Sequence, residues 1–197
     1  MASELKVDTI SEKTTASGVT IDGVLIKDGE VDGVDVSGIT SNTAFDEIDI
    51  WVINTDLTAD HIPIIDTYFT RHSGTLINMP KGTGVSVNGS GNWTFPKTGY
   101  YEIKFIANVE NDTNSNATEI YIYGSNDNCV TNDRIAFARY YGNDNSRTTY
   151  QAYAIVDITD VSNDKVRFAL NEVNTSTLRG GTSEFISGVI FKRLGDT

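Results

Sequence analysis

The side chains best equipped for chemistry gather in one stretch, TADHIPIIDTYFTRHSG, which carries Asp60, His61, Asp66, Arg71, His72 and Ser73. His61 and His72 are the two histidines of the chain. Serine, histidine and aspartate form a nucleophilic triad only in a particular geometry, not by co-occurrence. No nucleophile elbow, zinc-binding histidine pair or phosphate-cradling loop surrounds these residues. The expectation is that neither histidine is catalytic, and no catalytic residue is assigned. Acid residues are abundant, 27 Asp and Glu against 15 Lys and Arg. Paired carboxylates in a cleft are what glycoside hydrolysis needs. A small polysaccharide depolymerase is therefore one rival function, although the chain is short for that activity. The glycine-rich GTGVSVNGSG (82–91) opens no helix, so it reads as a hairpin and not as a nucleotide loop.

Binding chemistry is better represented. The stretch ARYYGNDNSRTTYQ combines Arg139, Tyr140, Tyr141, Asn143, Asn145, Arg147 and Tyr150. Aromatic faces stack on the apolar faces of sugars, while amides and guanidinium groups bond their hydroxyls. Arg139, Tyr141, Asn143, Asn145 and Arg147 are the candidate contact residues. Strand alternation offers a competing interpretation, in which Tyr140 and Tyr150 pack as strand residues and a solvated loop joins them.

Composition narrows the rest. The net charge of -12 argues against nucleic acid and against anionic lipid, both of which ask for a basic face. No apolar run approaches the ~20 residues of a membrane span. The start, MASELKVDT, lacks the basic and apolar pattern of a secretory signal. Cys129 is the single cysteine, which excludes an intrachain disulfide and a thiolate zinc cage. It is expected to be a half-buried small residue. No cofactor is expected. Clustered Asp22, Asp28, Asp32 and Asp35 raise calcium as a weak option, but their spacing does not match a helix-flanked calcium loop.

The elements that must carry these groups are strands. Tyr101, Ile103, Phe105 and Ala107 alternate with Tyr100, Glu102, Lys104 and Ile106. Ile120 and Ile122 alternate with Tyr121 and Tyr123. YQAYAIVDI, KVRFALNEV and EFISGVIFKRL continue the pattern, separated by clusters of Asn, Asp, Gly and Ser. Many short strands with such punctuation predict an all-β sandwich or barrel.

Composition changes near Ser41, giving a front segment, 1–40, and a second domain, 41–197. The front segment holds eight carboxylates and no aromatic residue. LKVDTI, GVTIDGVLI and GEVDGVDVSGI read as three β-rich strands. Glycine recurs at Gly18, Gly23, Gly29, Gly33 and Gly38. Such strands are too thinly apolar to hold a core alone. Three copies wound round one axis would supply the missing surface, with Val19, Ile21, Val24, Ile26, Val34 and Val36 filling it. A disordered acidic tail is the competing interpretation.

Two motifs in the second domain resemble the globular heads of the complement-type and tumour-necrosis-factor-like superfamily. WTFPKTGYYEIKF sets Trp93, then five intervening residues, then Gly99, with Tyr101, Ile103 and Phe105 at alternate positions after it. DKVRFAL followed by FISGVIFKRL resembles the last two strands, with Phe185, Ser187 and Gly188 in the closing motif. The resemblance implies a ten-strand antiparallel jelly roll that trimerises about a threefold axis. Phe105, Phe168, Phe185 and Val189 would fill the head and its threefold seam. The front segment LKVDTISEKTTASGVTIDGVLIKDGEV is similar to a module of structural proteins from tailed phages, particularly those of marine bacteria. The closing KRLGDT is similar to the KLGDT end of such proteins.

Together these resemblances imply a virion protein: a homotrimeric fibre or knob on the particle surface. Its front segment would dock on other virion proteins, and its head would touch a host-surface glycan. Nucleic-acid binding and membrane insertion are not expected. A capsid decoration protein without receptor role and a free carbohydrate-binding module are the alternatives.

Overall fold

The computed structural model describes residues 45–74, 77–111, 117–142, 146–173 and 176–197, and the backbone of four short strands between 19 and 35. The chain divides into two compact units, Met1–Thr43 and Ala44–Thr197.

The front unit contains β1 (Val19–Ile21), β2 (Val24–Lys27), β3 (Glu30–Val31) and β4 (Val34–Asp35), paired antiparallel in that order. Ile21 pairs with Val24, Lys27 with Glu30 and Val31 with Val34. Each of these pairs is separated in sequence by Asp-Gly, the strongest short signal for a two-residue hairpin connection. GVTIDGVLI and GEVDGVDVSGI are thus two strands each, not one, because an Asp-Gly falls inside each segment. Val19, Ile26, Val31 and Val34 are partners in one line across the sheet. Val36 lies outside the described residues, as do Asp22, Asp28 and Asp32.

The head begins with β5 (Ile48–Ile53), β6 (Phe69–Arg71), β7 (Ser73–Gly74), β8 (Ile77–Asn78), β9 (Ser86–Val87) and β10 (Trp93–Thr94). It continues with β11 (Gly99–Asn111), β12 (Ala117–Ser125), β13 (Asp133–Tyr141) and β14 (Ser146–Ile158). It closes with β15 (Lys165–Asn171), β16 (Ser176–Leu178) and β17 (Gly188–Gly195). The first sheet runs β14-β11-β17-β5-β6, with β16 also on β11; the second runs β13-β12-β15-β10-β9. Both are antiparallel, and the last strand, β17, sits between β11 and β5. β9 and β10 pair as the hairpin expected for the glycine-rich stretch, with the Asn88 side chain accepting the Ser90 and Asn92 N–H groups.

Alternation sets the core. Tyr101, Ile103, Phe105, Ala107 and Val109 on β11 are buried and face Ile120, Ile122, Val166, Phe168 and Leu170 of the second sheet. Trp93 is the hub: the rings of Trp51, Phe69, Phe168 and Phe191 lie 5.3, 5.0, 5.5 and 5.1 Å from it. Three of these four contacts are edge-on, the arrangement favoured by aromatic quadrupoles.

Phe105, Phe168 and Val189 are fully buried between the sheets, so they fill the head and do not reach any outward-facing seam. Their place follows from period two: they share the inward face with Ile103 and Phe191. Phe185 is half-buried and lies over Gly188. A Cβ at Gly188 would collide with the Trp51 carbonyl oxygen and come within 3.0 Å of the Phe185 ring. Glycine is therefore required by the close approach of the neighbouring strand β5.

Candidate functional site

The histidine-bearing stretch is committed to structure. His61 stands edge-on to Tyr68 at 4.6 Å. Burial lowers its pKa, and Asp60 opposes that shift. The Asp60 carboxylate accepts the Val173 N–H at 2.9 Å. Arg71 forks onto Asp49, donates to the Val85 carbonyl at 2.8 Å, and lies 4.5 Å over Trp51. His72 is buried with its ring 6.3 Å from Phe185. No three His, Cys, Asp or Glu side chains among the described residues converge as metal ligands. Cys129 is buried, and burial raises its pKa, which disfavours the reactive thiolate.

Two sheet faces remain. The outward face of the first sheet is built by the residues that alternate with the core. Register places Ile155, Glu102, Lys192 and Ile48 in one row across β14, β11, β17 and β5. The next row is Tyr153, Lys104, Ile190 and Ile50. Gln151, Ile106, Gly188 and Val52 follow. Tyr100, Tyr153, Ile155 and Leu194 remain 43, 47, 55 and 42 % exposed. Ile48, Ile50, Ile106 and Ile190 are half-buried. The charges on this face are locally neutralised or lie over rings. Lys104 bonds Glu102 at 3.0 Å and lies 5.9 Å from the Tyr153 ring; Lys192 lies 3.7 Å over Phe45. The result is a broad apolar face with few free charges.

The outward face of the second sheet is different. Register sets Tyr123 between Arg134 and Arg167, Tyr121 between Phe137 and Ala169, and Glu119 between Arg139 and Asn171. Tyr121 and Phe137 are stacked with centroids 6.4 Å apart, and Tyr123 lies 5.7 Å from Tyr121. The Arg134 guanidinium sits 5.1 and 5.0 Å from the Tyr121 and Phe137 rings. Glu119 is buried, pairs with Arg139, and accepts the Tyr121 hydroxyl and the Asn171 amide. Arg139 also donates to the Tyr141 hydroxyl at 2.9 Å. At one end of this face a cleft of about 200 Å³ is lined by Ile62, Pro63, Tyr123, Asn132 and Arg167.

Of the residues expected from sequence to make contacts, Arg139 and Tyr141 are exposed on this second face. Arg147 is not beside them. It stands on β14 of the first sheet, opposite Glu110, and donates to the Asn108 side chain at 2.6 Å. Asn143 and Asn145 lie outside the described residues. Tyr140 and Tyr150 stack at 5.9 Å as half-buried strand residues. The Tyr150 hydroxyl donates to the Thr118 carbonyl, and burial raises its pKa. The continuous motif is divided because the chain crosses from one sheet to the other between β13 and β14. The centre of the second face, Arg134, Tyr121, Tyr123, Phe137 and Arg167, is drawn from the consecutive strands β12 and β13 and from the more distant β15, and the alternation in EIYIYG is the one local signal for it.

No protein-family model matches the chain, and no curated relative does. Among solved structures it is similar to Eiger TNF from S. frugiperda, with a TM-score of 0.53 and 9 % identity over 78 % of this chain and 95 % of that one. It is also similar to murine APRIL, with a TM-score of 0.52 and 10 % identity over 75 % of this chain and 98 % of that one. At such identities the likeness concerns architecture alone. The chain carries an all-β, tumour-necrosis-factor-like jelly roll.

Proposed function

We propose that the chain is a non-enzymatic structural protein of a phage virion. It forms a short homotrimeric fibre or knob at the particle surface, docks on other virion proteins through its front segment, and meets the host with its head. The observation that carries the assembly is the outward face of the first sheet. Tyr100, Tyr153, Ile155 and Leu194 stand exposed there beside four half-buried isoleucines. A face rich in exposed apolar side chains, with its charges paired or set over rings, marks an interaction surface. Its occupant is a second and third copy of the same chain, because threefold closure is what the resemblance to complement-type heads implies. The virion assignment rests on the front module and on the KRLGDT ending.

In a trimer closed on the first sheets, the second sheets are left to face outward. Arg139 and Tyr141 then belong to the host-contact surface, and Arg147 to the seam side. Immunogold electron microscopy of purified particles, with an antibody against the head, tests the location. Label on the tail supports a fibre. Label on the capsid alone favours a decoration protein, and unlabelled particles overturn the virion assignment.

A further inference from the structure

Four arginines of the head are committed to ion pairs: Arg71 with Asp49, Arg139 with Glu119, Arg179 with Asp56 and Arg193 with Asp46. Arg134 and Arg167 have no such partner among the described residues, and they flank one ring, Tyr123. Arg167 Nε donates to the Asn92 side-chain oxygen at 2.6 Å, which leaves its charge unpaired and its terminal nitrogens as donors. Two guanidinium groups without a carboxylate partner, in a chain of net charge -12, form a local site for an anion. We propose that the Arg134–Tyr123–Arg167 row, together with the cleft that Tyr123 and Arg167 line beside it, binds an anionic saccharide. One sugar ring packs against Tyr123, and its carboxylate or sulfate group is taken by the guanidinium donors.

Three observations select this ligand class. Arg134 is held over Tyr121 and Phe137, and a guanidinium stacked on rings keeps its edge donors free for two-point bonding of a carboxylate or sulfate. The cleft, about 200 Å³, is smaller than the roughly 300–1,000 Å³ pocket of a drug-sized ligand, so one ring fits while neighbouring units extend along the face. Asn132 lines the cleft and donates to the Cys129 carbonyl, but its Oδ1 is buried without a donor among the described residues. A turn of the Asn132 amide toward the cleft would present this acceptor to a sugar hydroxyl, which can donate to it, whereas a bare inorganic anion cannot.

This assignment deepens the reading of the head as a recognition knob and rests on it. Isothermal titration of the full-length chain tests it. The probes are trigalacturonate and a sulfated chondroitin hexasaccharide, with maltotriose as uncharged control and hexaglutamate as anionic non-sugar control. At least one anionic saccharide is expected to bind, about tenfold or more tighter than either control. Arg134→Ala and Arg167→Ala are each expected to weaken it about tenfold, the loss that accompanies one charge-assisted hydrogen bond. Lys81→Ala leaves affinity unchanged. Arg134 is exposed, so its variant keeps the test valid should Arg167→Ala lose its fold. The proposal is overturned by silence with both anionic saccharides, by equal affinity for either control, or by wild-type affinity in Arg134→Ala. Sedimentation of the same samples separates the two claims. A trimer that binds nothing removes the site alone, and a monomer that binds removes the knob alone.

Discussion

Asp49→Ala is the substitution whose cost the structure fixes best. Asp49 alternates with Ile48 and Ile50 on β5, which turns its carboxylate inward, where it is 1 % exposed. It accepts Arg71 Nε at 3.0 Å, Arg71 Nη2 at 2.9 Å and the Val85 N–H at 3.0 Å. One side chain thereby ties β5 to β6 and to the strand-free approach to β9. Removing one partner of a buried ion pair costs about 3–5 kcal/mol. Stranding the Val85 N–H adds about 1–3 kcal/mol where water cannot reach it. The Arg71 side chain is 33 % exposed, so it regains part of its hydration and the net loss falls to about 3 kcal/mol. At about 2–4 °C per kcal/mol for a chain of this size, the melting temperature should drop by roughly 6–12 °C. The assay is thermal and urea unfolding by circular dichroism at one fixed chain concentration, since an oligomer's stability depends on concentration. Asp49→Asn keeps an acceptor for Val85 and should lose about half as much. A double-mutant cycle with Arg71→Ala should return a coupling of about 1–3 kcal/mol. A loss under 1 kcal/mol for Asp49→Ala, or a coupling near zero, would refute this description of the tie.

Three further outcomes are expected. Hydrogen bonds from the Thr131 and Ser125 side chains hold the exposed Asp127 carboxyl down at about 2. A folded pKa below the unfolded value stabilises the protein above the ordinary carboxylate range, near 3.8, and the contribution is lost as pH falls through about 2. Carboxyl-carbon NMR should put the Asp127 midpoint near 2, and a midpoint at the ordinary value contradicts its hydrogen bonds. Gly188→Ala should destabilise by about 1–3 kcal/mol through collision with the Trp51 carbonyl, read from the urea midpoint; a neutral change would mean β5 and β17 are not so close. Ile155→Lys leaves the isolated head folded, because Ile155 already faces water, but places a charge in the proposed seam. Its circular dichroism should match the wild type while its sedimentation coefficient falls, and an unchanged coefficient places the seam elsewhere.

Much of the head was legible because period two leaves little freedom. The partition of Tyr101, Ile103, Phe105 and Ala107 from Tyr100, Glu102, Lys104 and Ile106 is the partition between core and outward face. Ile120 and Ile122 divide from Tyr121 and Tyr123 in the same way. The unbroken apolar run GVIF in the closing strand fits the place of β17 between β11 and β5. The assignment of side chains to interior or seam was less legible. Phe105, Phe168 and Val189 belong to the interior, since a hydrophobic pattern gives the face of a strand but not which layer meets it. The front segment was misdivided because valine and isoleucine content outweighed the Asp-Gly pairs that separate β1 from β2 and β3 from β4. Asp49 and Glu119 carry no local mark of burial, because only folding brings Arg71 and Arg139 to them. The second face escaped local inspection for the same reason: Arg134, Tyr123 and Arg167 meet through register, not through proximity in the chain.

Sedimentation equilibrium of the intact chain at micromolar concentration weighs most directly whether the outward face of the first sheet joins identical copies. A single species of three 21.5-kDa chains, about 65 kDa, is predicted. A well-folded particle of 21.5 kDa that persists as concentration rises would contradict it.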